Sequence, residues 1–163
     1  MKMKVLNKDP VCGMQIVSHE YVMKYLDSSY AFCSAQCRDR FVANPHLYTG
    51  LPGQKAPKQE GLILLKSRLL RVADPLTQSQ SDSLTEALQG MMGIISVQVN
   101  GDEITVSYDL MQATAEQIET KMEEIGMQLG EGWSQRLRRA FVNYEEELEV
   151  GSLEVHKKNT YGY

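Results

Sequence analysis

Residues 94–109 read IISVQVNGDEITVSYD and predict a β-hairpin. Apolar and polar side chains alternate along both halves of this stretch, which is typical of strands with one buried face. The apolar sets are Ile95, Val97 and Val99 in the first half and Ile104, Val106 and Tyr108 in the second. Between them, Asn100-Gly101 is a strong signal for a tight hairpin turn, in which both turn positions favour positive φ.

The elements on either side of the hairpin predict a βαββαβ order. Residues 62–72, LILLKSRLLRV, suit a first strand, and residues 127–131, MQLGE, suit a short fourth one. Two helices are expected, each opening with a capping box. Their expected N-caps are Ser83, with Glu86 three residues on, and Thr114, with Gln117 three residues on. This order is that of the ferredoxin-like split βαβ fold.

A change in composition divides the chain before this unit. Residues 49–61, TGLPGQKAPKQEG, contain two prolines and three glycines without apolar periodicity, as expected of a linker. The predicted organisation is α+β: a cysteine-containing unit at 1–48, the linker at 49–61, the ferredoxin-like domain at 62–132, a C-terminal amphipathic helix at 133–149 and a tail at 150–163.

The predicted C-terminal helix places a run of apolar side chains on one face. These are Trp133, Leu137, Phe141, Tyr144 and Leu148. One interpretation is that this face packs on the chain's own sheet. The other is that it is a homodimer or partner surface, since an exposed aromatic stripe is unusual on a monomer.

Composition and charge exclude several classes of function. The net charge is −4, and the basic cluster at Arg136, Arg138 and Arg139 is soon followed by glutamates, so we expect no nucleic-acid binding. No apolar run approaches the roughly 20 residues of a membrane-spanning helix. The first residues, MKMKVLNKDP, lack the apolar segment of a secretory signal, so a cytoplasmic protein with reduced thiols is expected.

The cysteines are the strongest chemical signal in the chain. There are three, Cys12, Cys33 and Cys37, all in the first unit, and an odd number argues against a disulfide framework. A helix that begins near Ser34 would bring Cys33 and Cys37 to face one point. Its N-terminus would favour thiolates, giving a soft anionic site of three converging sulfurs. The plain alternative is that the cysteines are buried as small hydrophobic residues.

The first unit resembles the YHS domain, a small TRASH-like cysteine module. The matching residues are Asp9 to Met14 (DPVCGM), Tyr30 to Ser34 (YAFCS), Cys37, Phe41, Asn44-Pro45 and Tyr48, with the cysteine spacing C-x20-C-x3-C. The resemblance implies a β-hairpin with a helix, and metal ligands at the positions of the three cysteines. It also implies an association with copper and other heavy-metal handling proteins, including metal-pumping ATPases.

The second unit is similar to the heavy-metal-associated domain of copper chaperones. The residues that carry this resemblance are ALQGMMGIISVQVNGDEITVSYD and TAEQIETKMEEIGMQL. That family binds its metal through a Cys-x-x-Cys after the first strand. Here the loop reads Ala73 to Gln78 (ADPLTQ), so the resemblance implies the fold without the metal site.

The number of sulfur ligands favours a soft metal. Structural zinc sites usually hold four protein ligands. The candidates for a fourth ligand are Met14, Asp9, His19 and water, and none has a standard finger spacing. Cu(I) fits three thiols more naturally, although zinc or another thiophilic metal stays open, and Met14 is either an auxiliary thioether ligand or a core residue.

The sequence therefore predicts a soluble heavy-metal-binding protein, most simply for Cu(I), that acts in metal homeostasis, trafficking or resistance. A metal-transporting ATPase or another metal-handling protein is the expected partner. The alternative is an interaction or scaffold protein whose cysteines bind a structural zinc ion or no metal. No catalytic constellation accompanies the cysteines, so we expect that the protein is not an enzyme.

Overall fold

The computed structural model describes residues 5–130 and 132–155, with backbone only for residues 5, 6, 133, 134 and 137. The chain divides into two compact units, which are taken separately below. The first comprises Met1–Leu62 with Glu149–Tyr163, and the second is Ile63–Leu148.

The first unit is a three-stranded sheet with one helix. Its elements are β1 (Val5–Leu6), β2 (Tyr21–Tyr25), β3 (Ser28–Phe32), α1 (Ala35–Ala43) and a 3-10 turn (Pro45–Leu47). The strand β3 lies between β1, to which it is parallel, and β2, with which it forms the expected antiparallel hairpin. Because α1 begins three residues after β3 ends, the start of the helix lies beside the end of the central strand.

An aromatic cluster centred on Phe41 holds α1 against this sheet. Phe41 is fully buried, and four aromatic rings surround it with centroids 4.9 to 5.9 Å away. The four rings belong to Tyr25, Tyr30, Phe32 and Tyr48. Aromatic pairs at such separations add to the free energy of burial. The cluster therefore holds the C-terminal half of α1 against the sheet.

Residues that the sequence assigned to the linker and the tail are ordered in this unit. Ala56 is fully buried, and the N–H of Lys58 donates to the carbonyl of Leu47 over 2.9 Å. At the other end of the chain, the Glu154 carboxylate accepts from Asn44 Nδ2 at 2.7 Å and from the N–H of His46 at 3.1 Å. These hydrogen bonds join three distant segments, at 44–47, 56–58 and 154, within one unit.

The second unit has the ferredoxin-like fold that the sequence predicted. Its elements are β4 (Leu65–Arg71), α2 (Gln78–Gln89), β5 (Ile94–Asn100), β6 (Glu103–Asp109), α3 (Ala115–Glu124) and α4 (Trp133–Leu153), the last of which continues into the first unit. The strand β6 lies between β4 and β5 and is antiparallel to both. The fourth strand is reduced to a single antiparallel bridge between Val72 and Leu129.

The hairpin differs from its prediction at two positions. An irregularity in the pairing between Ile94 and Ser96 turns Ile95 outward, where it is 58% exposed, so its predicted place beside Val97 was wrong. Asn100 is the last residue of β5, and only Gly101 takes positive φ, at 66°. A β-bulge changes which residues share a face, and simple alternation does not reveal it.

One of the two expected capping boxes is present as predicted, and the other lies at a different pair of residues. Thr114 caps α3 and accepts from the N–H of Gln117, as predicted. The N-cap of α2 is Thr77, with Gln80 closing the box, so Ser83 lies inside the helix and its assignment was wrong. Both pairs fit the pattern of a threonine or serine followed three residues later by glutamine or glutamate, and the helix uses the earlier one.

The helix α4 contacts the second unit through its polar side. Glu146 is buried, and its carboxylate accepts from the hydroxyl of Tyr108 at 2.5 Å and from the N–H of Ala115 at 2.6 Å. Burial, with the hydrogen bond to Glu146, raises the pKa of Tyr108 well above its ordinary value. The tyrosine therefore stays protonated and acts as the donor.

A buried ion pair forms the second anchor of α4. Arg68 Nη2 lies 2.7 Å from Glu119 Oε1, and both side chains are about nine-tenths buried. Asn143 on α4 bridges the pair, accepting from Arg68 Nη1 and donating to Glu119 Oε2, each over 3.3 Å. A buried charge pair with additional hydrogen bonds is costly to break from one side only.

The apolar face of α4 is exposed. Phe141, Tyr144 and Leu148 are 59%, 57% and 56% exposed, so the interpretation that this stripe packs on the chain's own sheet is wrong for these three residues. The side chains of Trp133 and Leu137, which the sequence placed on the same stripe, lie outside the described residues. In the part of the chain that the structure describes, no helix is long and apolar enough to cross a membrane.

Candidate metal centre

The three cysteines converge in the first unit. Cys12 Sγ lies 3.5 Å from Cys33 Sγ, which lies 3.6 Å from Cys37 Sγ. All three thiols are free; Cys37 is fully buried, and the other two are half-buried. The three sulfurs and a carboxylate oxygen of Asp9 lie within 4.8 Å of one another.

The junction between β3 and α1 places two of these sulfurs. The helix α1 begins near Ser34, as predicted; Ser34 is its N-cap, and the Ser34 hydroxyl accepts from the N–H of Cys37 over 3.4 Å. Cys33 precedes the cap, and Cys37 lies in the first helical turn. Capping fixes the backbone at a helix start, so this bond sets the position of Cys37 relative to Cys33.

A tight turn over residues 9–14 places the third sulfur. The N–H of Asp9 donates to the carbonyl of Met14, and the N–H of Gly13 donates to the carbonyl of Asp9, each over 2.9 Å. Gly13 takes a φ of +80°, a conformation that glycine adopts without steric cost. The turn directs Cys12 toward Cys33.

The Asp9 carboxylate joins the two cysteine-bearing segments. Its side chain is 1% exposed, and it accepts three backbone hydrogen bonds: from Val11 N at 2.7 Å, from Cys12 N at 3.2 Å and from Cys33 N at 2.8 Å. The sequence named Asp9 only as one candidate for a fourth ligand. Asp9 contacts Cys33, which follows β3 and lies 24 residues away, and a contact at that separation produces no periodic pattern in the sequence.

The protonation of the thiols differs from the expectation of three thiolates. A hydrogen bond from Cys37, opposed by burial, lowers the pKa of Cys12 to about 7. Burial raises the pKa of Cys33 to about 11, and donation to Cys12, together with burial, raises that of Cys37 far above its usual range. At neutral pH and without metal, Cys12 is therefore partly ionised, and Cys33 and Cys37 are protonated.

The other candidate ligands lie elsewhere or contribute through the backbone. Met14 is 48% exposed, so it is not a core residue, and its backbone hydrogen bond favours the Cys12 thiolate. His19 is exposed and lies 3.3 Å from Asn7. His46 is half-buried and engaged at both ring nitrogens, with Tyr25 and the carbonyl of Thr49.

The donor set fits a thiophilic ion. Three sulfurs bound to one ion at about 2.3 Å lie roughly 3.8 to 4.0 Å apart, by simple geometry from the usual zinc–sulfur length. The distances of 3.5 and 3.6 Å are a few tenths of an ångström shorter, so small side-chain rotations suffice to admit an ion. Thiolates are the ligands that soft metals prefer. The cluster can therefore hold a metal ion.

The corresponding loop of the second unit offers no thiol. After β4, residues 73–78 lead into α2, and the N–H groups of Ala73 and Leu76 donate to the carbonyls of Gln128 and Gly101 at 2.9 and 3.0 Å. All three cysteines of the chain lie in the first unit. The ferredoxin-like unit therefore lacks the Cys-x-x-Cys of the heavy-metal-associated domains that its sequence resembles.

Comparison with known proteins identifies the cysteine-containing unit. Residues 7–51 match the family model of the YHS domain, which confirms the resemblance drawn from the sequence. This stretch is therefore a YHS domain, and it contains Asp9 and all three cysteines.

Two solved structures are similar to part of the chain. One is the CsoZ metallochaperone, with 26% identity over 41% of this chain and 99% of that chain, at a TM-score of 0.39. The other is oxidised MerP from Ralstonia metallidurans CH34, with 13% identity over 41% of this chain and 96% of that chain, at a TM-score of 0.39. Among curated proteins, none matches the chain. The ferredoxin-like assignment rests on the strand order described above.

Proposed function

We propose that this protein binds a soft metal ion, Cu(I) in the first instance, through Cys12, Cys33 and Cys37, and that it acts in metal trafficking, homeostasis or resistance. The observation that carries the proposal is the convergence of three free thiols, with sulfur–sulfur distances of 3.5 and 3.6 Å. Its role is binding and transfer, and the protein is not an enzyme.

Copper is favoured over zinc by the number and softness of the ligands. Three sulfurs make a complete site for Cu(I), whereas structural zinc takes four ligands. The two histidines that the structure describes do not converge with the thiols: His19 is exposed beside Asn7, and His46 is held by its own hydrogen bonds. Met14 is the proposed auxiliary ligand, since its exposed thioether is attached two residues from Cys12.

A structural zinc ion is the second candidate, because one observation favours it. Asp9 offers a carboxylate oxygen within 4.8 Å of all three sulfurs, which makes a possible set of three sulfurs and one oxygen. Such an ion would contribute directly to folding, so a chelator would unfold the unit. In that case the protein is an interaction or scaffold protein, not a metal carrier.

A carrier needs a route by which the ion leaves. Cys12 and Cys33 are half-buried, so a partner's thiols can reach the ion from their side while Cys37 stays buried. We propose a metal-transporting ATPase or another metal-handling protein as the partner in transfer. The cytoplasm is the proposed location, because the site needs reduced thiols.

We propose a second copy of the chain as the partner of the exposed face of α4. Phe141 and Tyr144 are exposed on this face, and the sequence pattern places Trp133 and Leu137 on it as well. Along α4, two exposed basic residues precede Phe141 and two exposed acidic residues follow Tyr144. They are Arg136 and Arg138, then Glu145 and Glu147. Two antiparallel copies would therefore bring unlike charges together, as in an isologous dimer.

The experiment that tests the function is a Cu(I) titration of the reduced protein against a competing chelator, with metal analysis of the protein as isolated. We expect one tightly bound Cu(I), and loss of this binding in the Cys33→Ser, Cys37→Ser double variant. Met14→Leu is the matched variant that leaves the thiols intact, and weaker binding there supports the auxiliary ligand.

Two results would overturn this proposal. If Cys12→Ser keeps the full Cu(I) affinity, the three-thiol site is wrong. If the isolated protein holds stoichiometric zinc and unfolds when zinc is chelated, the structural-zinc function replaces it.

A further inference from the structure

Asp9 has an arrangement that the three-thiol site does not by itself explain. Its carboxylate is 1% exposed, yet the groups that satisfy it are backbone N–H groups: Val11 and Cys12 at Oδ1, and Cys33 at Oδ2. Two of these three donors belong to cysteines of the site. A buried carboxylate is costly unless hydrogen bonds compensate it. Separating the Cys12 turn from the Cys33 segment would therefore leave the Asp9 carboxylate without one of its donors.

We propose that Asp9 is the positioning residue of the metal site: its carboxylate braces the Cys12 turn against the Cys33 strand end, and it is not itself a ligand. The proposal rests on the proposed metal-binding function. The brace joins segments 24 residues apart in the chain, and the sulfurs that these segments carry, those of Cys12 and Cys33, lie 3.5 Å apart.

The hydrogen bonds themselves argue against ligation by Asp9. Oδ1 accepts two N–H groups at 2.7 and 3.2 Å, which occupies both of its lone pairs. Oδ2 accepts from Cys33 N at 2.8 Å, and a shift toward an ion would weaken this bond. A carboxylate oxygen is also a hard donor, which a soft ion prefers less than a thiolate. Partners that orient metal ligands through hydrogen bonds are a general feature of metal sites.

The brace determines how many sulfurs the site presents. Cys33 and Cys37 are joined by the N-terminal cap of α1, through the Ser34 hydroxyl and the N–H of Cys37 at 3.4 Å, and this bond does not involve Asp9. Cys12 depends on the turn that Asp9 holds. Without the carboxylate we expect the α1 pair to persist and Cys12 to move away, so a three-sulfur site becomes a two-sulfur site.

The test compares Asp9→Asn with Asp27→Asn, which removes the same charge from an exposed position between β2 and β3 of the same unit. The asparagine oxygen can still accept two N–H groups, but its NH2 group then opposes the third. For Asp9→Asn we expect Cu(I) binding about 10- to 100-fold weaker, the usual effect of losing such a partner. X-ray absorption of the Cu(I)-loaded protein should show fewer sulfur neighbours in Asp9→Asn than in the wild type and in Asp27→Asn, because the Cys12 thiolate is lost.

A measurement on the wild-type protein without metal is independent of whether the variant folds. Hydrogen exchange should show the amides of Val11, Cys12 and Cys33 protected, since each donates to the buried carboxylate. Exchange as fast as that of exposed loops would overturn the brace. This measurement also separates the two proposals, because protected amides with no Cu(I) binding reject the metal function and leave the brace standing.

Two further outcomes would overturn the positioning role of Asp9. An oxygen neighbour of copper in the wild type that disappears in Asp9→Asn, with three sulfurs kept, would make Asp9 a ligand and overturn its positioning role. Equal Cu(I) affinity in Asp9→Asn and the wild type would overturn it as well.

Discussion

The two units bury carboxylates for different purposes. In the first unit, Asp9 accepts from the backbone of segments that carry the thiols. In the second, Glu119 pairs with the Arg68 guanidinium at 2.7 Å, and Glu146 accepts from Tyr108. In the first unit the buried carboxylate joins the segments that carry the cysteines, and in the second the buried carboxylates hold the helix α4. The ferredoxin-like unit, which contains no thiol, is held together in part by these buried polar contacts.

The largest expected effect is on the ion pair of the second unit. Arg68→Met leaves Glu119 buried without its cation, and such losses destabilise proteins by about 3–5 kcal/mol. Chemical denaturation followed by circular dichroism should show this loss. Cu(I) affinity, measured under conditions where the variant is folded, should not change, because all three thiols lie in the first unit.

The control for this prediction is the Arg68→Met, Glu119→Leu double variant. Replacing both charges by apolar side chains should restore most of the stability, because neither charge is then left unpaired. If the single variant is as stable as the wild type, the ion pair is not an anchor of α4.

The second prediction concerns the protons that the three cysteines of the first unit lose when a metal ion binds. A metal must displace the protons of its thiol ligands, so binding strengthens as pH rises. With the pKa of Cys12 at about 7, that of Cys33 at about 11 and that of Cys37 higher still, two thiols are protonated at pH 8 to 10 and three below pH 7. Apparent Cu(I) affinity should therefore rise about 100-fold per pH unit between pH 8 and 10, and more steeply below pH 7.

Proton release gives the direct measurement. At pH 8, in weak buffer with an indicator dye, binding of one Cu(I) should release about two protons in the wild type and about one in Cys33→Ser. Release of one proton by the wild type would mean that only one of the two protonated thiols is a ligand.

The smallest expected effect on stability is at the exposed face of α4. Because Phe141 is 59% exposed, Phe141→Ser should change the free energy of unfolding by less than about 0.5 kcal/mol. Sedimentation should nevertheless show weaker self-association than in the wild type. The matched control is Leu69→Ser, an exposed apolar residue of β4 that should leave association unchanged. Equal association in all three proteins would reject the dimer.

Local patterns predicted much of the fold because they depend on near neighbours. The alternation at Ile104, Val106 and Tyr108 gave a strand with one buried face, and those three residues are buried. Thr114 with Gln117 gave the start of α3. Where two candidate caps compete, as at Thr77 and Ser83, the choice depends on where the helix packs, and the local pattern selected the wrong one.

The sequence alone determined that three thiols belong to a YHS domain, and that the ferredoxin-like unit carries no thiol, because residue type and spacing are properties of the chain. Only the tertiary structure decided that Cys12 has the lowest thiol pKa and that Asp9 joins the two cysteine-bearing segments. It also decided that α4 turns its aromatic face outward. The physical reason is that pKa values, buried hydrogen bonds and exposure depend on residues far apart in the chain.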